Sequence, residues 1–178
     1  MNTKVSVGMA IGLMCGLVIA VILLKIANKD HKVKTQYDER QEMIKGRGYK
    51  YSFYTMLFME VVVMLLEMSG IELPIDNYLV HTIAVLIGCL VLCIHSIWNG
   101  VYWGLNNNHK RYAIIIVIAV VLNIIPLAGA IAHDSLSGHG INSVPVLNVI
   151  VLVWMAIIGV AALVKRFVDS RNSEEEES

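Results

Sequence analysis

Five long apolar runs constrain the fold of this chain more than any other feature of its sequence. Each approaches the roughly 20 residues that an α-helix needs to cross about 30 Å of hydrocarbon. The chain has 178 residues, of which 57% are hydrophobic and 16% are charged, whereas a soluble domain has roughly 25% charged residues. The sequence therefore predicts an all-α membrane protein, with a single bundle domain over residues 1–164 and spans at 5–24, 51–69, 78–98, 112–132 and 146–164.

The basic residues are distributed unevenly among the segments that connect these runs. All Lys and Arg except Lys4 lie after the first run, after the third run or in the tail, while residues 70–77 and 133–145 have none. Lys and Arg collect on the cytoplasmic side of a membrane. The N-terminus is therefore expected outside and the C-terminus inside, with residues 25–50 as a cytoplasmic juxtamembrane segment. Residues 165–178 are expected to form a cytoplasmic acidic tail that is disordered at its charged end.

The segment YDERQEMIKGRGYKYSF, residues 37–53, joins the juxtamembrane region to the second span. It resembles the cytoplasmic DER-type segment that precedes a span in uncharacterised small integral-membrane protein families of Gram-positive bacteria. The resemblance implies a multi-pass protein of a bacterial plasma membrane. It implies no activity, and it assigns no role to any residue.

One ionisable residue, Glu60, lies near the middle of the second span. At 1.5 Å per residue, Glu60 is roughly 13 Å from Tyr51, at the inner end of that span. An ionisable side chain at this depth is expected to face the bundle interior and to have a partner. It could be charged, or it could be protonated and donate a hydrogen bond. Asn123 in the fourth span lies at nearly the same depth, so it is the predicted partner if these spans are neighbours.

The third span has a polar side that adds two residues to this candidate intramembrane polar site. His95 and Asn99 lie close to one line on the helix with His81, since eighteen residues complete five turns. Both residues are near the cytoplasmic end of the span. Glu60, Asn123, His95 and Asn99 are therefore the candidate intramembrane residues.

A second candidate group of polar residues lies at the outer side. Glu67 and His81 flank the same short turn and could pair there, and His133 and His139 belong to the second outer loop. The spacing of these histidines is not a metal-binding signature. Solvated loop residues are the expected interpretation, with metal binding or pH sensing by the outer loop as the alternative. No metal ligand is assigned, and no cofactor is predicted.

Gly8, Gly12 and Gly16 recur every four residues in the first span. Such a row of small residues lets another helix approach closely and gain packing that lipid does not supply. The partner could be another helix of this chain, a second copy of the chain, or a different protein.

No catalytic or nucleotide-binding motif is present, and no loop is long enough to form a soluble catalytic domain. Beyond the lipid bilayer, the sequence favours a non-enzymatic accessory or regulatory subunit that associates with itself or with another membrane protein. The alternative is a small transporter or proton-linked permeation protein that uses Glu60. A membrane-embedded enzyme acting on a lipid-soluble substrate is a third hypothesis. Nucleic acid is not an expected partner, because membrane orientation accounts for the basic residues.

Overall fold

In the computed structural model, the regular elements are α-helices. The structure describes the backbone of residues 3–71, 76–132 and 143–176, and the side chains of residues 11, 14–71, 76–132 and 146–172. The helices in this part of the chain confirm the all-α class; they are α1 (Thr3–Ala27), α2 (Glu39–Met68), α3 (Asn77–Trp98), α4 (His109–Ala132) and α5 (Ser143–Glu176).

Four of these helices are long and apolar enough to cross a membrane, judged by length and composition over the described residues. They are Glu39–Met68, Asn77–Trp98, His109–Ala132 and, within α5, Val146–Asn172. This is the pattern of a multi-pass membrane protein in contact with a lipid bilayer. The predicted first span falls in α1, where the apolar stretch with described side chains, Met14–Ala27, is shorter. Five spans and their orientation therefore remain predictions.

Helices α2 and α3 end in the same way, because each is followed two residues later by a glycine with a positive φ angle. Gly70 and Gly100 both have φ +68°, a conformation that a side chain disfavours. After α2, the N–H of Ile71 donates to Leu66 O at 3.2 Å, and after α3 the N–H of Val101 donates to Ser96 O at 2.9 Å. These bonds close the last helical turns, as in a Schellman motif.

Two helices extend beyond the predicted spans. Helix α2 begins at Glu39 and continues through Gly46 and Gly48, although two glycines so close together favour a loosened helix. In the tail, α5 continues to Glu176, and the disorder expected at the charged end stays a prediction. An ion pair between Lys165 and Asp169, one turn apart, supports this extension.

The chain divides into two compact units. The loop unit comprises Met1–Asp38 and Trp103–Ile118, and the hairpin unit comprises Glu39–Tyr102 and Ala119–Ser178. In the hairpin unit, α2 packs on α3 and α3 packs on α5.

Two side-chain hydrogen bonds join the helices of the hairpin unit. Ser52 Oγ donates to Gly88 O across α2 and α3 at 2.7 Å. Trp154 Nε1 on α5 donates to Leu86 O on α3 at 2.8 Å. Such bonds hold helices together in lipid, where the hydrophobic effect between them is absent.

Amide side chains join the segments of the loop unit through hydrogen bonds. Asn106 Nδ2 donates to Asp30 Oδ1 at 3.0 Å and to Lys34 O at 3.2 Å. The N–H of Gln36 donates to Asn106 Oδ1 at 2.8 Å. Asn28 is fully buried and donates through Nδ2 to Lys32 O at 2.7 Å. These bonds satisfy backbone groups of the segment between α1 and α2, much of which the sequence predicts as a basic cytoplasmic loop.

Candidate functional site

His81 lies between two carboxylates where α2 and α3 pack against each other. Its Nδ1 atom is 2.8 Å from Glu60 Oε2, which is a hydrogen bond. Its Nε2 atom is 3.6 Å from Glu67 Oε1, a distance that allows attraction between charges but is too long for a hydrogen bond. We call these three residues the Glu60–His81–Glu67 triad.

The triad follows from helix geometry. Glu60 and Glu67 are seven residues apart, so they lie on one face of α2, about 10 Å apart along its axis. The contacts of Ser52 with Gly88 and of Glu60 with His81 show that α2 and α3 are antiparallel. His81, in the second turn of α3, therefore falls between the levels of the two carboxylates, and its two ring nitrogens face one each.

The triad is only partly covered by the rest of the hairpin unit. The exposed fraction is 36% for the Glu60 side chain and 45% for each of the His81 and Glu67 side chains. Helix α5, which also packs on α3, has no ionisable residue between positions 146 and 164. An ionisable side chain within a membrane span faces other protein or a water-filled cavity. The exposed part of the triad therefore requires polar surroundings.

Asn123 is not the partner of Glu60 that the sequence predicts. Its Nδ2 atom donates to Ala119 O at 2.8 Å, within its own helix. Over the described residues, the helix packed against α2 is α3 and not α4. The prediction depended on α2 and α4 being neighbours, and equal depth in a membrane does not by itself make two helices adjacent.

His95 and Asn99 also lie apart from Glu60. His95 is 14 residues beyond His81 on α3, about 21 Å along the helix. Its Nε2 atom is 3.2 Å from Ile44 O, and its ring meets that of Tyr51 edge to face, with centroids 5.4 Å apart. Asn99 Nδ2 donates to His95 O at 2.8 Å. The structure therefore does not bring the four candidate intramembrane residues together, and it gives His95 a role in helix packing.

The predicted outer polar cluster is found in part. Glu67 and His81 are within ion-pair distance, whereas His133 and His139 lie outside the described residues. The surroundings of Gly8 and Gly12 in the glycine row also lie outside the described side chains. Gly16 is exposed, and a β-carbon built on it has no neighbouring atom within 4 Å.

The chemistry of the triad suits protons better than a metal ion. Among the described side chains, no group of three His, Cys, Asp or Glu residues is arranged to hold a metal. In the triad each carboxylate faces a different nitrogen of the same imidazole ring, so a single ion could not contact all three side chains. A neutral imidazole instead donates a hydrogen bond from one nitrogen and accepts one at the other.

Sequence reasoning missed the pairing of Glu60 with His81, although a signal for it was present. Glu60 and Glu67 share a face of α2 by their spacing of seven, and the short connection to α3 places His81 opposite that face. Their expected depths do not identify the pair, because nine residues separate Glu60 from the outer end of its predicted span and only three separate His81 from the outer end of the next. Comparison with known proteins returns no match to any protein-family model, curated protein or solved structure.

Proposed function

We propose that this chain is a five-span protein of a bacterial plasma membrane, with its N-terminus outside and its C-terminus in the cytoplasm. We further propose that it is a non-enzymatic accessory or regulatory subunit that associates with itself or with another membrane protein. The uneven distribution of Lys and Arg supports the orientation. The DER-type segment at residues 37–53 supports the bacterial plasma membrane.

The observation that carries the association is the partial exposure of the triad. Glu60, His81 and Glu67 lie within two helices that are long and apolar enough to span a membrane, and each keeps more than a third of its side chain exposed. Lipid offers no hydrogen bond to such groups, and interhelical polar contacts satisfy them instead. A helix of a protein partner over this face supplies those contacts.

Mild purification followed by native mass spectrometry tests this function. The wild-type chain is expected as an oligomer or together with a second membrane protein. Substitution of Glu60→Gln is expected to reduce the assembled fraction, because it removes a carboxyl group from the face that is covered. The matched control is Glu42→Gln, which makes the same substitution in the first turn of α2, where the side chain is exposed.

Assembly that is unchanged in Glu60→Gln would contradict a role for this face. A strictly monomeric protein with no partner would contradict the accessory function itself.

A second function, proton-linked permeation through Glu60, is favoured by the hydrogen bond between Glu60 Oε2 and His81 Nδ1. A carboxylate that contacts an imidazole can exchange a proton with it. In proteoliposomes, Glu60→Gln is expected to abolish proton-linked flux while the helical content stays the same. Flux that equals that of the wild type would exclude this function.

A further inference from the structure

We infer that Glu67, His81 and Glu60 form a proton relay, which carries protons between the turn joining α2 and α3 and the interior position of Glu60. The inference rests on the proposed placement of α2 and α3 across a membrane, and it identifies the proton as the species handled at the site described above. It serves either proposed function, since protonation of Glu60 can regulate an interface or begin a permeation step.

The ring of His81 is suited to this role because its two nitrogens face different carboxylates. Nδ1 is 2.8 Å from Glu60 Oε2, and Nε2 is 3.6 Å from Glu67 Oε1. In neutral imidazole, the nitrogen that carries hydrogen donates and the other accepts. The hydrogen bond to Glu60 favours hydrogen on Nδ1 when Glu60 is ionised, which leaves the lone pair of Nε2 directed toward Glu67.

One transfer moves a single proton inward. The O–H bond of protonated Glu67 breaks and an N–H bond forms at Nε2 of His81. The N–H bond at Nδ1 breaks and an O–H bond forms on Glu60. Glu67 ends as the carboxylate, Glu60 ends as the neutral acid, and His81 remains neutral with its hydrogen on Nε2. The reverse transfer restores the starting arrangement, because the proton of Glu60 returns to Nδ1 while the hydrogen on Nε2 returns to Glu67. The proton that enters at Glu67 comes from water.

Because 3.6 Å separates His81 Nε2 from Glu67 Oε1, the Glu67 side chain must move closer before a proton can pass between them. A hydrogen bond requires the Glu67 oxygen to approach Nε2 by roughly half an ångström. The Glu67 side chain is 45% exposed and has three rotatable bonds, so this approach needs no movement of the helix backbone. The shorter contact between His81 and Glu60 is already at transfer distance.

Helix α5 offers no carboxylate that would compete with Glu60 and Glu67 for His81. This helix has no ionisable residue from 146 to 164. At the turn end, Asp76 directly precedes α3 and Tyr78 lies in its first turn, and Cys89 follows His81 two turns further along. Among the residues that the structure describes, the carboxylates within 4 Å of His81 are those of Glu60 and Glu67, both from α2.

Time-resolved infrared spectroscopy of the full-length protein in proteoliposomes tests the relay. After a rapid drop in pH, protonation of Glu60 is followed by the carbonyl stretching band of its carboxylic acid, which is identified by its absence in Glu60→Gln. In Glu67→Gln and in His81→Gln, this band is expected to grow roughly 100-fold more slowly, at the lower end of what a positioned proton donor contributes. The matched controls Glu42→Gln and His109→Gln are expected to keep the wild-type rate.

Glu60 protonation at the wild-type rate in Glu67→Gln or in His81→Gln would overturn the relay. If circular dichroism shows that His81→Gln does not fold, Glu67→Gln decides alone, because Glu67 makes the longer and weaker contact. The spectroscopic rate is independent of the tests of function. If the protein is monomeric but the two variants slow the protonation of Glu60, only the proposed association is excluded. If the protein assembles or transports protons but the variants protonate Glu60 at the wild-type rate, only the relay is excluded.

Discussion

At the residue scale, Gly48 lies where a side chain on α2 would collide with α3. A β-carbon at this position would be 2.9 Å from His95 Cδ2 and 3.1 Å from Leu92 Cδ1. His95 cannot move away freely, because it contacts Ile44 O and the ring of Tyr51. Gly48→Ala is therefore expected to lower the free energy of unfolding by about 1–3 kcal/mol, measured by reversible unfolding in mixed micelles.

Gly46 on the same helix provides the control. A β-carbon there has no neighbouring atom within 4 Å. Gly46→Ala is expected to raise the free energy of unfolding by up to about 1 kcal/mol, because alanine has the higher helix propensity. If both variants are stabilised equally, the close approach of α2 to His95 is incorrect.

Asp30 makes the stability of the loop unit depend on pH. Partial desolvation acts to raise the pKa of the Asp30 carboxyl, but it is outweighed by hydrogen bonds from the backbone N–H of Lys32, the Asn106 amide and its own backbone, and by the charge of Lys32. The pKa therefore lies below the ordinary value of 3.8. Since the folded pKa is the lower one, the carboxylate stabilises the fold above roughly pH 4, and this contribution is lost as the pH falls through the folded pKa.

The expected difference in thermal midpoint between the wild type and Asp30→Asn is thus largest near neutral pH and becomes smaller in acid. Circular dichroism measured at several pH values checks this expectation. A difference that stays constant down to the lowest pH would show that ionisation of Asp30 does not stabilise the fold.

The candidate site could be predicted from the sequence only in part. An acid in the middle of an apolar run identifies Glu60 as an unusual residue whatever the fold, because its depth can be counted from the sequence and an ionisable group at that depth is costly. Its partner depends on which helix packs against α2, and the sequence contains no equally direct signal for that. The sequence places His81 with Glu67 at the outer turn, because both flank that turn.

At the element scale, α2 and α3 are joined by a buried hydroxyl. Ser52 is 8% exposed, and its Oγ atom donates to Gly88 O at 2.7 Å. Ser52→Ala is expected to lower the free energy of unfolding by about 0.6 kcal/mol and at most about 1.7 kcal/mol, the average and the maximum for hydrogen bonds between membrane helices. Denaturant titration in micelles measures this change.

Ser69 is the matched control for Ser52. Its hydroxyl donates to Leu65 O on its own helix and is exposed. Ser69→Ala is expected to change stability by less than about 0.5 kcal/mol, as an exposed substitution usually does. Equal effects of the two substitutions would mean that the bond between the helices contributes nothing.

Helices α2 and α5 are both longer than simple sequence signals predict. Two glycines close together predict a loosened helix, since glycine has a low helix propensity. Gly48 is buried against α3, so tertiary contact offsets that preference and α2 continues. The tail after the last span was predicted from its charge, but the turn between Lys165 and Asp169 carries an ion pair that favours helix.

At the scale of the whole molecule, the proposed topology makes a direct prediction about access from each side. In a variant with Cys15, Cys89 and Cys93 replaced by serine, single cysteines are introduced as Thr3→Cys, Ile71→Cys or Lys32→Cys. The first two are expected to react with a membrane-impermeant maleimide in intact cells, and the third only after permeabilisation. The reason is that Lys and Arg concentrate at the cytoplasmic ends.

Lys110→Cys provides the control for the cytoplasmic side, because it follows the third predicted span and should behave like Lys32→Cys. Reaction at positions 3 and 32 from the same side would show that α1 does not cross the membrane. Reaction at position 71 only after permeabilisation would reverse the proposed orientation.

The sequence by itself determined the helices and their apolar character, because both depend on residues that are near one another in the chain. It also determined the asymmetry of basic residues on which the proposed orientation rests. Only the tertiary structure decided that Glu60 pairs with His81 and not with Asn123, and that α2 remains helical through Gly48. Depth along a helix is a local quantity that can be counted from the sequence, whereas the identity of a neighbouring helix depends on how complete surfaces pack together.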